Sequence, residues 1–127
     1  LKYSGDSLSR LREYRRLLGP GFSLFNGNDS LALPALYEGA DGLVSGNASA
    51  RPELLVALYA AFRDGKGSEA AVRQRELDDF IAGRDPACEL STFKALLALR
   101  GVPVGDVRAP LKRVAESGRA GLQRLLR

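Results

Sequence analysis

The sequence predicts an α/β protein in which parallel β/α units give way to a region of helices alone. Two observations carry this. Over the first 45 residues the apolar pattern changes period repeatedly, giving the order strand end, helix, strand, helix, strand. From Gly46 onward only helical spacing remains. A third observation concerns the strand tips, each of which runs into a polar turn. In parallel architectures those C-terminal tips carry the chemistry, because loops and helix N-termini converge there.

The elements follow in order. Leu1-Lys2-Tyr3 reads as the last step of a strand, and Gly5-Asp6-Ser7 as the turn after it. Leu8, Leu11, Leu17 and Leu18 recur at helical spacing until Gly19-Pro20-Gly21 stops the helix. Phe22-Ser23-Leu24-Phe25 is a short strand closed by Asn26-Gly27-Asn28-Asp29, and a second helix runs from about Ser30 to Glu38. Gly42-Leu43-Val44-Ser45 is the third strand. Ser49 or Arg51 caps the next helix, which carries Pro52 in its first turn and an apolar stripe of Leu54, Leu55, Leu58, Ala61 and Phe62. It ends at Asp64-Gly65-Lys66-Gly67. Another helix spans Ser68 to about Ile81 with Val72 and Leu77 inward. A loop then leads to a helix over Ser91 to Arg100, with Phe93, Leu96, Leu97 and Leu99 on its core face. Val102 to Pro110 is irregular, and a last helix turns Leu122, Leu125 and Leu126 inward.

Composition narrows the chemistry. The chain has 127 residues, one cysteine and no histidine. Disulfides, Cys/His zinc sites and histidine-based triads are therefore outside its reach. What remains is lysine, carboxylates, hydroxyls and backbone dipoles. Cys88 reads as an ordinary thiol in a reducing, cytoplasmic setting and receives no role. The net charge is +4, but the basic residues are dispersed and interleaved with acids. Even the densest cluster, Arg10, Arg12, Arg15 and Arg16, alternates with leucines and so reads as a solvated helix face. No nucleic-acid partner is expected, and no apolar run reaches the length of a membrane span. The start at Leu1 and the absence of methionine read as the C-terminal portion of something longer.

Lys2 stands at a strand tip. An amine attacks a ketone at neutral pH only where desolvation or a nearby cation lowers its pKa, and the end of a buried parallel strand offers such a place. A solvated charge at a strand end is the alternative. Asn26-Gly27-Asn28-Asp29 and Ser45-Gly46-Asn47-Ala48-Ser49 likewise read either as ligand-facing tips or as helix-capping turns. Tyr3 neighbours Lys2, yet successive strand residues point to opposite faces, so it reads as packing.

These segments, Lys2-Tyr3-Ser4-Gly5-Asp6, Asn26-Gly27-Asn28-Asp29, Gly39-Ala40-Asp41-Gly42-Leu43-Val44-Ser45-Gly46 and Arg108-Ala109-Pro110-Leu111, resemble in order and spacing the C-terminal half of the dihydrodipicolinate synthase and N-acetylneuraminate lyase family. The resemblance covers nearly the whole chain. It implies a (β/α)8 TIM barrel entered at the end of strand 6 and followed through helix 8 into an extra C-terminal helical region. Residues 1–66 would be the last β/α units and residues 67–127 the helical region, with the N-terminal half of the barrel upstream. It also implies a class I aldolase or lyase in which Lys2 forms a Schiff base with pyruvate or a related 2-keto acid, condensing with or releasing an aldehyde. Gly27 and Val44 match positions lining the pocket, Asp29 a position that holds substrate hydroxyls in sugar-acid lyases, and Ser45 and Gly46 continue that lining. No cofactor or metal is implied, and a cytoplasmic homotetramer is. The family's tyrosine acid/base and its carboxylate-binding loop would lie upstream of Leu1.

Departures leave the substrate open. Sialic-acid lyases usually carry Gly-Tyr-Asp-Glu where this chain has Gly27-Asn28-Asp29-Ser30, and dihydrodipicolinate synthases commonly carry Asn-Pro-x-Pro-x-Lys where it has Glu89-Leu90-Ser91-Thr92-Phe93-Lys94. A sugar-acid aldolase of the same family and a non-catalytic half-barrel module stand as alternatives.

Overall fold

The computed structural model describes residues 1–126. Three short parallel strands, β1 (Lys2–Tyr3), β2 (Phe25–Asn26) and β3 (Gly42–Leu43), lie side by side in that order. Lys2 sits opposite Phe25, and Phe25 opposite Gly42. The ladder continues one residue further, with Gly27 N–H donating to the Tyr3 carbonyl (2.7 Å) and Val44 N–H to that of Asn26 (2.9 Å). Because all three strands run the same way, Ser4, Gly27 and Val44 leave the sheet along one edge.

Helix α1 (Leu8–Leu18) starts at Ser7, whose Oγ accepts from Arg10 N–H (3.2 Å). It stops at Gly19, which adopts φ 69° and donates its N–H to the Arg15 carbonyl. Leu11 is buried on this helix while Leu17 faces solvent. Arg15 returns to the crossover between β2 and β3, donating to the Gly39 carbonyl (2.8 Å) and pairing with Asp41. The Leu24 N–H bond (2.7 Å), and after it Arg15, hold the Asp41 carboxyl below the usual carboxylate range.

The second strand differs from the Phe22–Phe25 expectation. Phe22 is exposed, and the ladder takes Phe25 and Asn26 instead. Asn26 can enter a buried ladder because its amide closes on the chain itself. Its Nδ2 donates to the Asn28 carbonyl (2.7 Å) and its Oδ1 accepts from Asn28 N–H (3.2 Å). The third strand ends at Leu43 rather than Ser45, since Ser45 Oγ turns to accept Ala48 N–H (3.2 Å) and opens a 3-10 turn over Asn47–Ser49.

Helix α2 (Ala32–Tyr37) follows a 3-10 turn at Asp29–Leu31. Helices α3 (Pro52–Arg63) and α4 (Gly67–Ala82) pack on one another across a three-residue link. Arg51 occupies the cap position of α3 without a side-chain capping bond, and Pro52 supplies the fixed first turn. On α4 the buried positions are Ala70, Gln74, Leu77 and Phe80. Val72, expected inward, is exposed because it lies two residues, roughly 200°, round the helix from Ala70. Helix α5 (Glu89–Leu99) begins before Ser91, its start set by a 3-10 turn over Pro86–Cys88 that Asp85 caps through Ala87 N–H (2.9 Å). That rotation buries Ser91 and Thr92 beside Phe93 and Leu96, and exposes Leu99. An irregular stretch leads to α6 (Glu116–Leu122) and a final 3-10 turn over Gln123–Leu126. Among the described residues no helix is long and apolar enough to cross a membrane.

One core joins both regions. Leu24 and Leu36 from the β/α part and Leu58, Leu77 and Leu96 from the helices belong to a single buried cluster, with Leu122, Leu125 and Leu126 packed on or into it. Each fully buried leucine contributes about 1.5–3 kcal/mol of transfer free energy relative to exposure.

Candidate active site

The three strand tips converge on a solvent-open cleft of about 380 Å³. Gly27 and Asp29 line it from the second tip and Gly46 from the third, while Ile81, Arg84 and Phe93 close the far side from the helical region. Lys2 lies at its margin. A Cβ on Gly27 would overlap the Lys2 Cε and the Ser4 Oγ, so the lysine chain runs directly over the Gly27 backbone. This is a close approach that only glycine permits. At Gly46 an added Cβ would stand 3.3 Å from the Phe93 ring, so this tip too is held tight against a helix.

Asp29 is the best-tied polar group of the cleft. Its Oδ2 accepts from Ser45 Oγ and from Asn47 Nδ2, both at 2.5 Å. Its backbone carbonyl accepts from Gln74 Nε2 (3.0 Å), and the same Gln74 accepts Leu33 N–H through Oε1 (2.8 Å). A helix of the C-terminal region therefore clamps the turn that carries the carboxylate. Asp29 Oδ1 and Asn47 Oδ1 are buried without a partner. Together they are two acceptors, closed off from solvent beside the cleft, with no donor among the described residues.

Of the residues singled out from sequence, Lys2, Gly27, Asp29 and Gly46 come to this one cleft or its margin. Ser45 lies beneath it as a donor to Asp29. Val44 is exposed at the sheet edge and its N–H is spent on the ladder. Tyr3 points away from Lys2 and packs edge-on against Tyr14, with ring centroids 5.4 Å apart. Sequence reasoning named Asn47 only within the third tip, without a role of its own, and missed Gln74 and Arg84. Gln74 carried a signal, a polar residue four after Ala70 and three before Leu77 on an apolar face. Arg84 carried none. Among the described residues no three His, Cys, Asp or Glu side chains converge as a metal site.

Comparison with known proteins agrees with this architecture. The model of the Dihydrodipicolinate synthetase family matches residues 1–127. A 4-hydroxy-tetrahydrodipicolinate synthase of Heliobacterium modesticaldum is 35% identical over 99% of this chain and 42% of its own length. Among solved structures, a sialic acid aldolase of Ruminococcus gnavus superposes with a TM-score of 0.92 at 24% identity, covering 98% of this chain and 42% of that one. N-acetylneuraminate lyase of Fusobacterium nucleatum does so with a TM-score of 0.88 at 25% identity, over 98% and 42%. The chain thus spans less than half the length of the relatives it matches. With parallel strands meeting at one polar cleft, an α/β fold shared with these lyases, and a family match along its whole length, this chain belongs to the dihydrodipicolinate synthetase family.

Proposed function

We propose that this chain is the Schiff-base portion of a pyruvate-dependent aldolase or lyase, with Lys2 as the nucleophile. The observation that carries the reading is the passage of the Lys2 side chain over Gly27 at the mouth of the cleft. The Lys2 amine adds to the C2 carbonyl of pyruvate, and loss of water leaves a protonated imine. That cation is an electron sink, so a methyl proton is lost and an enamine forms. The enamine carbon attacks an aldehyde carbon, the aldehyde oxygen takes up a proton, and hydrolysis of the imine frees Lys2. Cleavage is the same sequence reversed. Gly27, Asp29, Val44, Ser45 and Gly46 form the substrate side. Gly27 leaves room for the imine, and Asp29, oriented by Ser45 and Asn47, accepts substrate hydroxyls.

In this reading residues 1–66 are the last β/α units of a (β/α)8 barrel, from the end of strand 6, and residues 67–127 its C-terminal helical region. The upstream half of the barrel covers the open edges of β1 and β3, together with the groove of about 580 Å³ beside β3 that Leu43, Leu55 and Tyr59 help to line. It also desolvates Lys2, which is exposed in this chain. Assembly as a homotetramer in the cytoplasm belongs to the same proposal. A second reading, a sugar-acid aldolase, is favoured by the unpartnered acceptors Asp29 Oδ1 and Asn47 Oδ1, which suit a polyhydroxylated substrate.

The test is borohydride trapping with pyruvate on the full-length protein that carries this chain, followed by peptide mapping. A reduced pyruvate adduct on the Lys2 peptide, lost in Lys2→Ala, is the expected result. An adduct on another lysine, or none, overturns the proposal.

A further inference from the structure

Arg84 borders two spaces, the strand-tip cleft and a separate cavity of about 560 Å³ on the helical side, and the aldolase reading uses neither Arg84 nor that cavity. The cavity lies between the turn that joins α4 to α5 and the α6 segment, and Val114, Leu122 and Leu125 give it an apolar wall. Three guanidinium side chains, those of Arg84, Arg113 and Arg124, stand around it against one carboxylate, Asp85. Asp85 accepts from Ala87 N–H (2.9 Å), and among the described residues it pairs with none of the three. Arg113 reaches Asp106, outside the cavity, at 3.5 Å.

Arg84 is the fixed part of this arrangement. Its side chain is only 5% exposed. The guanidinium is held between two rings, 5.2 Å from the Phe80 centroid and 4.9 Å from that of Phe93. Its carboxylate partner Glu89, bonded at 3.1 Å through Nη1, is 51% exposed and lines the strand-tip cleft rather than the cavity. Nε is buried and has no acceptor. A desolvated guanidinium fixed by stacking, with a donor unspent, is an incomplete anion site. The edge formed by Nε and one Nη is a face that a carboxylate grips through two parallel hydrogen bonds. Beside an excess of positive charge and an apolar wall, the complementary ligand has an anionic end and an apolar body.

We propose that this cavity binds an organic carboxylate with an apolar body, its carboxylate on Arg84 within the field of Arg113 and Arg124, and its body against Leu122 and Leu125. The site is separate from the strand-tip cleft and does not depend on the Lys2 reading. Binding there makes and breaks no covalent bond.

The probe is 3-phenylpropionate, titrated by calorimetry into the full-length protein that carries this chain, beside its neutral amide, 3-phenylpropanamide, and inorganic phosphate. The carboxylate is expected to bind roughly 10- to 100-fold more tightly than the amide, and phosphate more weakly than the carboxylate. Arg84→Met removes the preference over the amide, and Arg84→Lys, which keeps the charge without the fork, retains part of it. Arg113→Ala and Arg124→Ala, both at exposed positions, each weaken binding by only about 2- to 5-fold. Gly121 lines the cavity, and a Cβ there meets nothing closer than Arg124 Nη2 at 3.6 Å. Gly121→Leu therefore fills the space while placing a better helix former in α6, and abolishes binding without lowering the unfolding midpoint. Lys2→Ala leaves binding unchanged. Absence of binding, equal binding of the amide, or phosphate bound as tightly as the carboxylate overturns the proposal. Binding that survives Arg84→Met or Gly121→Leu, or that is lost in Lys2→Ala, places the carboxylate elsewhere and overturns it too. Should Arg84→Met fail to fold, Gly121→Leu and the amide comparison decide.

Discussion

The strand-tip cleft and the α3–α4 pair are built by opposite means. In the helical pair, α3 buries Leu54, Leu55, Leu58 and Ala61 and α4 buries Ala70, Leu77 and Phe80 in one shared core, and among the described residues no side-chain hydrogen bond joins the two helices. In the cleft, strands of two residues each contribute almost no apolar area, and the parts are held by single polar ties: Ser45 and Asn47 on Asp29, Asn26 on Asn28, Gln74 on the Asp29 carbonyl. Stability and chemistry are therefore placed in different residues. The cleft can be altered with little effect on the core, whereas loss of the core must loosen the cleft through Gln74.

Leu77→Ala should have the largest effect on stability. The side chain is fully buried, and its truncation should cost about 2–5 kcal/mol, read by denaturant unfolding of the full-length protein, while imine trapping at Lys2 persists under folding conditions. A matching loss of trapping in the folded variant would mean that core and cleft are not separable. Gly27→Ala inverts the pattern. The new methyl displaces Lys2 or Ser4, so the rate of imine formation should fall by about 100-fold, the usual consequence of an ångström-scale misplacement, with the unfolding transition nearly unmoved. An unchanged trapping rate would dissociate Gly27 from the chemistry.

Gln74→Leu tests the bridge between the regions. It strips the buried Leu33 N–H of its acceptor and leaves the Asp29 carbonyl only the Ala32 N–H, and should cost about 1–3 kcal/mol together with weaker binding of hydroxylated substrate. Loss of stability alone would place Asp29 under the control of Ser45 and Asn47 only. The smallest effect concerns pH. Asp41 is held below its ordinary range by Leu24 N–H and then by Arg15, so its contribution is present above the unfolded carboxylate pKa and is lost as pH falls through the lowered folded value. Asp41→Asn should flatten that acid limb by lowering the neutral plateau slightly toward the acid value, the loss being small because Arg15 keeps its bond to Gly39. An acid limb unchanged by the substitution would assign it to other carboxylates.

What was legible in the sequence divides along the same line. Alternation of period predicted the parallel β/α order, and helical spacing found the inward stripe of α3, because burial of a regular element imposes its own repeat on the sequence. Where side chains act singly the repeat is silent. Phe22 reads as strand by propensity, yet the partner strand takes Phe25 and Asn26; Val72 and Leu99 read as core by type, yet the helix phase turns them outward. The candidate residues Lys2, Gly27, Asp29 and Gly46 were visible because parallel strands must deliver their tips to one edge.

The sequence by itself determined the element order, the strand tips as the place where polar groups gather, and the family resemblance that singled out Lys2, because these depend on spacing along one chain. Only the tertiary structure decided that the Asp29 turn is clamped by Gln74, 45 residues away in the chain. It alone set Arg84 between Phe80 and Phe93 with one donor unspent. Those contacts depend on the rotation of α4 and α5 against the sheet, and that rotation is set by the packing of the shared core rather than by any local run of residues.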